Sequence, residues 1–128
     1  MILDSSAVIG LIREEQGYER LRDALEQASA LAIGAPTIFE TAMVTIGRYG
    51  DVGRVAVDRF LVDWEVEVVP FGERHWRVAA EAFARYGKGR HPARLNYGDC
   101  MTYATARLAD LPLLFTGEDF AKTDVAVA

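Results

Sequence analysis

Apolar and polar positions change period several times along this chain. Met1-Ile2-Leu3 is a short apolar run ending at Asp4. It reads as a buried strand whose carboxyl end delivers Asp4, followed by a helix through Ala7-Val8-Ile9-Gly10-Leu11-Ile12. Between Gly17 and Ala28, the positions Tyr18, Leu21, Leu25 and Ala28 fall at helical spacing, and Leu31-Ala32-Ile33-Gly34-Ala35 reads as a second strand. Pro36 sits where the next helix begins, a place where a missing amide hydrogen is tolerated. The spacing of Phe39, Ala42, Met43 and Ile46 predicts that they are its buried face, with Glu40 off that stripe in the first turn. Gly50-Asp51-Val52-Gly53 breaks the chain, and a helix resumes from Val55 to Trp64. Glu65-Val66-Glu67-Val68-Val69-Pro70 alternates and is β-branched, so it predicts the middle strand of the series, stopped by Pro70. Residues 73 to 86 predict a helix with Trp76, Ala79, Ala80 and Phe83 on one face. Helical spacing accounts for these aromatics as core rather than as a base-stacking platform.

The remaining third begins with a glycine-rich, basic loop, Gly87-Lys88-Gly89-Arg90-His91-Pro92-Ala93-Arg94. Gly98-Asp99 opens an amphipathic helix whose buried face carries Cys100, Tyr103, Ala104 and Leu108, closing at Asp110-Leu111-Pro112. The apolar strand Leu113-Leu114-Phe115 follows and empties into Thr116-Gly117-Glu118-Asp119-Phe120. One helical turn is expected near Asp119-Lys122 and a last short strand at Val125-Val127. Strands alternating with helices predict a parallel sheet covered on both faces, a three-layer α/β/α sandwich. We find no repeat or linker, and residues 1–128 are expected to form one domain.

Composition adds constraints. Hydrophobic residues are 51% and charged residues 26%, enough for a core and too apolar for disorder. No apolar run approaches the roughly 20 residues a membrane helix needs, and Met1-Ile2-Leu3 enters the fold with no basic leader, so a cytoplasmic protein is expected. The single cysteine excludes an internal disulfide, and Cys100 on the buried helix face reads as a core thiol. Net charge is −5, so any phosphate contacts come from a local patch, and a basic partner segment is suited electrostatically. The run Lys88, Arg90, His91 and Arg94 supplies such a patch. It reads either as a solvated loop or as a phosphate-contacting arm in which Arg90 and Arg94 bind substrate.

Four acids gather chemical interest. In a parallel sheet, ligands sit outside the carboxyl ends of the strands where strand order reverses. Asp4 follows the first strand, Glu40 lies one helical turn beyond the second, and Asp119 comes four residues after Phe115. Asp99 opens the helix leading into that last strand, at an end of the sheet that topology alone leaves open. Taken singly, Asp4 and Asp99 serve equally as helix caps, and Glu40 as an exposed acid near a helix start. Taken together they cannot stay so unaided. Two like charges about 4 Å apart repel by roughly 4 kcal/mol at an effective dielectric near 20. A retained proton or a cation must relieve this, and oxygen-only ligands favour Mg2+, or Mn2+, over zinc. Such an ion suits phosphodiester hydrolysis by activated water.

Asp4, Glu40, the run Leu95-Asn96-Tyr97-Gly98-Asp99-Cys100 and the run Leu113-Leu114-Phe115-Thr116-Gly117-Glu118-Asp119-Phe120 resemble the PIN-domain ribonucleases, and within them the VapC toxins of bacterial toxin–antitoxin pairs. The likeness covers the whole chain. It implies a Mg2+-dependent endoribonuclease acting on RNA, neutralised by a VapB-type antitoxin whose carboxyl-terminal segment covers the acidic site, and commonly a homodimer. The family's acidic set falls on Asp4, Glu40, Asp99 and Asp119, with Asp4 and Asp99 the first metal ligands. Glu40 and Asp119 would ligate through water, position the attacking water or complete a second metal site. Ser6 and Thr116 match polar positions near the metal, and Asn96 braces the Asp99 turn. Glu118 competes with Asp119 by one position, and Phe120 favours Asp119. The alternative from another class is a non-catalytic Mg2+-binding receiver-like module, or one that binds RNA without cutting it. A receiver needs an acceptor aspartate ending its middle strand, where this chain has Val69-Pro70.

Overall fold

In the computed structural model, which describes residues 1–128 throughout, the first strand β1 (Ile2–Leu3) is fully buried. Its two side chains point to opposite faces of a sheet, as strand geometry requires. Ile2 enters the core beneath α5 (Glu73–Tyr86) and α6 (Tyr97–Ala109), while Leu3 enters the core beneath α1 (Ser5–Ile12), α2 (Tyr18–Gln27) and α4 (Asp51–Asp63). The last strand β4 (Leu113–Leu114) repeats the division, Leu113 with the first core and Leu114 with the second. The result is the expected three-layer α/β/α sandwich.

All strand pairs are parallel, in the order β3-β2-β1-β4, with β2 at Ala32–Gly34 and β3 at Glu67–Val69. Leu3 pairs with Ile33 on one side and Leu114 on the other. The chain builds outward from β1 through β2 to β3, then returns to place β4 on the far side of β1. The reversal of strand order therefore lies between β1 and β4, directly above Asp4.

Four expectations from the apolar pattern are corrected. The 65–70 strand is an edge, not the middle, and Glu67 and Val68 are exposed. Its alternation reflects β-branched residues suited to any strand rather than two-sided burial. In α3 (Ala35–Tyr49) the expected face points outward: Phe39 is 66% exposed and Met43 58%, and Ile46 is also exposed. The buried stripe is Thr37, Thr41 and Thr45. Thr41 and Thr45 satisfy their hydroxyls on carbonyls one turn back, and Thr37 meets Thr102 of α6 at 2.9 Å. Threonines so satisfied pack as small β-branched groups, and every buried side-chain polar atom has a partner.

The break between α3 and α4 narrows to Gly50 alone, which adopts φ +60, and α4 begins at once with Asp51. Gly53 lies inside α4, where an added Cβ would come 2.2 Å from the Thr45 carbonyl oxygen, so glycine permits the close crossing of α3 and α4. In α5 the buried residues are Ala79, Ala82 and Tyr86, whereas Trp76 and Phe83 are 50% and 42% exposed. Small alanines let α5 lie close on α6, which leaves the large rings at the rim of the contact. The chain ends with a 3-10 turn, Phe120–Lys122, and a bridge from Val127 to Leu113; the Tyr103 hydroxyl ties this tail down by donating to Asp124 Oδ1 at 2.6 Å. No helix is long and apolar enough to cross a membrane.

Candidate active site

Helices that follow or feed strands of a parallel sheet run against them, so their amino ends gather at the carboxyl rim. That places the starts of α1, α3 and α6 together. It also settles Asp99, because α6 feeds β4 and must begin at the rim where β1 and β4 end.

Asp4 is the N-cap of α1 and is buried. Its Oδ2 accepts from the Ser6 backbone N–H at 3.0 Å and from the Ser6 hydroxyl at 2.5 Å. The same hydroxyl oxygen accepts from the Thr116 backbone N–H at 3.0 Å, joining the ends of β1 and β4. Ser6 is thus a connector, and Thr116 enters through its backbone rather than its side chain.

Asn96 caps α6, and Asp99 occupies its third position. The Asn96 side-chain oxygen accepts from the Asp99 N–H at 2.9 Å, and Asp99 Oδ2 accepts from the Asn96 N–H at 2.8 Å. This reciprocal capping box fixes the carboxylate rotamer. One oxygen of Asp4 and one of Asp99 are committed to caps, which leaves Oδ1 of each without a protein partner.

Glu40 approaches from α3. An added Cβ at Gly98 would lie 2.7 Å from both Glu40 carboxylate oxygens, so the glycine makes the space in which that carboxylate rests against α6. Gly98 is a site residue that sequence reasoning passed over. Its only signal is a glycine in the first turn of a helix, where alanine is the better former. Ser5 is a second omission; its side chain favours ionised Glu40.

Asp119 stands exposed just before the 3-10 turn, while Glu118 pairs with Lys122 at 3.7 Å. Of these two neighbours, Asp119 is the one whose charge reaches Asp99.

Electrostatics binds the group. Burial pushes the Asp99 carboxyl up from 3.8 to about 6; the Asn96 N–H opposes this, and the charges of Asp4, Asp119 and Glu40 add to it. Burial and then the Asp4 charge likewise raise Glu40, with Ser5 acting the other way. The four acids therefore share one field. As the side chains stand, no three of them close around a common point. Oxygen-only donors, two free Oδ1 atoms and mutual repulsion are the chemistry that a hard divalent ion satisfies.

Arg90 and Arg94 stand exposed on the loop between α5 and α6, with Arg94 at φ +54 and the Arg90 guanidinium 5.7 Å from the centre of the Phe83 ring. Cys100 is buried next to Asp99, and burial first, then Asp99, pushes its thiol up to about 11, so it is no nucleophile.

Comparison with known proteins matches residues 1–126 to the PIN domain model. A VapC ribonuclease of Mycobacterium bovis and ribonuclease VapC36 of Mycobacterium tuberculosis are each 44% identical over 126 residues, covering 98% of this chain and 91% of theirs. Among solved structures, Mycobacterium tuberculosis VapC20, described as a Sarcin-Ricin loop cleaving toxin, superimposes with a TM-score of 0.79 at 15% identity. That match covers 99% of this chain and 97% of the other. VapBC2 from Rickettsia felis, solved bound to a DNA fragment from its promoter, gives a TM-score of 0.77 at 15% identity, covering 98% and 94%.

Proposed function

Because the chain belongs to the PIN-domain family, within its VapC ribonuclease branch, we propose that it is a Mg2+-dependent endoribonuclease using Asp4, Glu40, Asp99 and Asp119. The observation that carries this reading is the shared field of the four carboxylates at the β1/β4 reversal, felt most at Asp99. A divalent ion there, Mg2+ or Mn2+, would supply charge neutralisation at the scissile phosphoryl group and acidify a water.

Asp4 and Asp99 would hold the ion through their free Oδ1 atoms, while Ser6 and Asn96 keep Oδ2 of each engaged and the rotamers fixed. Glu40, raised in pKa by burial and by Asp4, suits acceptance of a water proton at a carboxylate oxygen. Asp119, on the exposed lip, would orient water or complete a second ion site. Arg90 and Arg94 would contact the flanking RNA phosphates.

The same reading makes the protein a toxin neutralised by a VapB-type antitoxin whose carboxyl-terminal segment lies over the acidic site. The relatives' names and the VapBC neighbour support the pairing. A homodimer is supported by the outward apolar stripe Phe39, Met43 and Ile46 on α3.

The test is incubation of purified protein with total cellular RNA, in Mg2+ or Mn2+ against EDTA, beside Asp99→Asn. Discrete products that vanish with EDTA and with the variant are expected. Cleavage by Asp99→Asn at the parent rate would refute the site, and no cleavage by antitoxin-free parent in either metal would refute the activity.

A further inference from the structure

The aromatic residues of α5 that do not enter the core line one side of a trough of about 360 Å³ between α5 and α6. Trp76, Ala80 and Phe83 face Tyr97, Cys100 and Met101 across it, and every lining residue is apolar. The rings are accessible: Trp76 is 50% exposed, Phe83 42% and Tyr97 78%. Tyr97 and Cys100 of its lining lie on the first turns of α6, the same turns that carry Asp99 on another face of the helix.

An arginine stands at each end. The Arg77 guanidinium, ion-paired with Glu73 at 2.8 Å, lies 4.6 Å from the Trp76 ring centre, and Arg90 lies 5.7 Å from that of Phe83. Lys88 and Arg94 share the loop with Arg90. No acidic residue interrupts residues 88 to 94, so the Phe83 end of the trough is the cationic one. Flat apolar walls beside a cationic loop match a base and its neighbouring phosphate: rings stack on any base, and guanidinium groups meet the backbone.

We propose that the α5–α6 trough receives an unpaired base of the RNA substrate, adjacent to the phosphate presented to Asp99, with Trp76, Phe83 and Tyr97 as its stacking residues. This rests on the ribonuclease reading and deepens it. Trough and acidic site together would select single-stranded or looped RNA, since a base paired in a duplex has no free face to offer. The trough also makes the presence of an unpaired base at one position beside the cut, whatever its identity, a determinant of binding.

The test is fluorescence anisotropy of fluorescein-labelled, mixed-sequence single-stranded RNA octamers in EDTA, across a range of salt. Parent is compared with Trp76→Ala, Phe83→Ala, Tyr97→Ala and Arg90→Gln. Each aromatic loss is expected to weaken binding by about tenfold while leaving the salt slope unchanged. Arg90→Gln is expected to flatten the slope by about 0.7 for one lost phosphate contact. An octamer of abasic ribose phosphates should bind the parent no better than the aromatic variants. Tyr97→Ala guards against misfolding, because that side chain is mostly in solvent.

Equal affinity of parent and aromatic variants for RNA, or equal affinity of parent for abasic and normal octamers, overturns the proposal. So does a loss confined to binding of an antitoxin peptide, which would assign the trough to a protein. If the aromatic variants lose RNA affinity but the parent cleaves nothing in Mg2+ or Mn2+, the base site stands and the nuclease reading fails. If the parent cleaves and the aromatic variants match it in binding and cleavage, the base site alone fails.

Discussion

Replacing Asp99 by asparagine isolates the electrostatic cost of the site. In the metal-free protein its carboxyl titrates near 6 rather than 3.8, because burial and then three neighbouring carboxylates disfavour the charge. The fold therefore holds this proton more tightly than the unfolded chain does. The penalty for ionising Asp99 is absent below about pH 4, grows between about pH 4 and 6, and is complete at pH 7. A gap of about two pH units sets a ceiling near 3 kcal/mol at about 1.4 kcal/mol each. The side chain is only half-buried, and solvent screening brings that ceiling down to about 1–2 kcal/mol.

Asparagine retains an oxygen to accept the Asn96 N–H but loses the attraction of a carboxylate to the helix amino end, about 0.5 kcal/mol. The net gain for Asp99→Asn in EDTA at pH 7 is then about 1 kcal/mol, or about 4 °C in Tm for a domain of this size. Thermal unfolding followed by circular dichroism at pH 4, 5, 6 and 7 reads it directly. The difference from parent should be nil or slightly negative at pH 4 and grow towards pH 7. Millimolar Mg2+ should raise the Tm of the parent and not that of the variant. A variant less stable than parent at pH 7 in EDTA, or a difference independent of pH, would refute the reasoning.

Gly98→Ala should fold with a Tm within a few degrees of parent yet lose activity on the order of 10- to 100-fold, because its methyl group displaces the Glu40 carboxylate; unchanged kcat would detach Glu40 from the chemistry. Thr37→Val should cost about 1–3 kcal/mol in urea unfolding by leaving the Thr102 hydroxyl unpartnered, while Thr37→Val with Thr102→Val should be nearly neutral. The double variant Phe39→Glu and Met43→Glu should leave the fold intact and shift the protein to monomer in analytical ultracentrifugation; an unaltered sedimentation coefficient would remove α3 from any dimer contact. Cys100 should resist alkylation by iodoacetamide at pH 8 in the native protein and react readily in guanidinium, and native labelling at the denatured rate would contradict its burial.

The parts of the fold legible in the sequence are those where burial is apolar. Ile2-Leu3 and Leu113-Leu114 are buried on both faces, so short runs of large aliphatic residues announce them. The buried face of α3 was not legible, since periodicity scores threonine as polar. Yet Thr41 and Thr45 hide their hydroxyls on their own helix, and Thr37 hides its on Thr102. The large apolar residues of α3 and α5 were free to face outward because small residues already filled the seams. Edge position was equally hidden, as β3 carries the same β-branched signature that a central strand would. At the site, adjacency to a strand end gave Asp4, Glu40 and Asp119 their place. Asp99 lay at the start of a helix whose end of the sheet the pattern left open, and the fold shows α6 running against β4 and so starting at the common rim.

That arrangement explains how four acids share a rim without being driven apart. Asp4 and Asp99 are held within their own segments by Ser6 and Asn96, Glu40 rests against Gly98 of α6 with help from Ser5 of α1, and Asp119 stands exposed. The sheet then sets the distances between segments, through the parallel pairing of β1 with both β2 and β4. Local hydrogen bonds fix the Asp4 and Asp99 rotamers and the backbone topology fixes the spacing, so the remaining repulsion adds to burial in raising the Asp99 carboxyl. The charges that disfavour the metal-free fold are those that would draw in the proposed divalent cation. Stability without metal and affinity for metal should therefore move in opposite directions as the carboxylates are neutralised one at a time, and Asp99, which feels all three of the others, should show the largest exchange between the two.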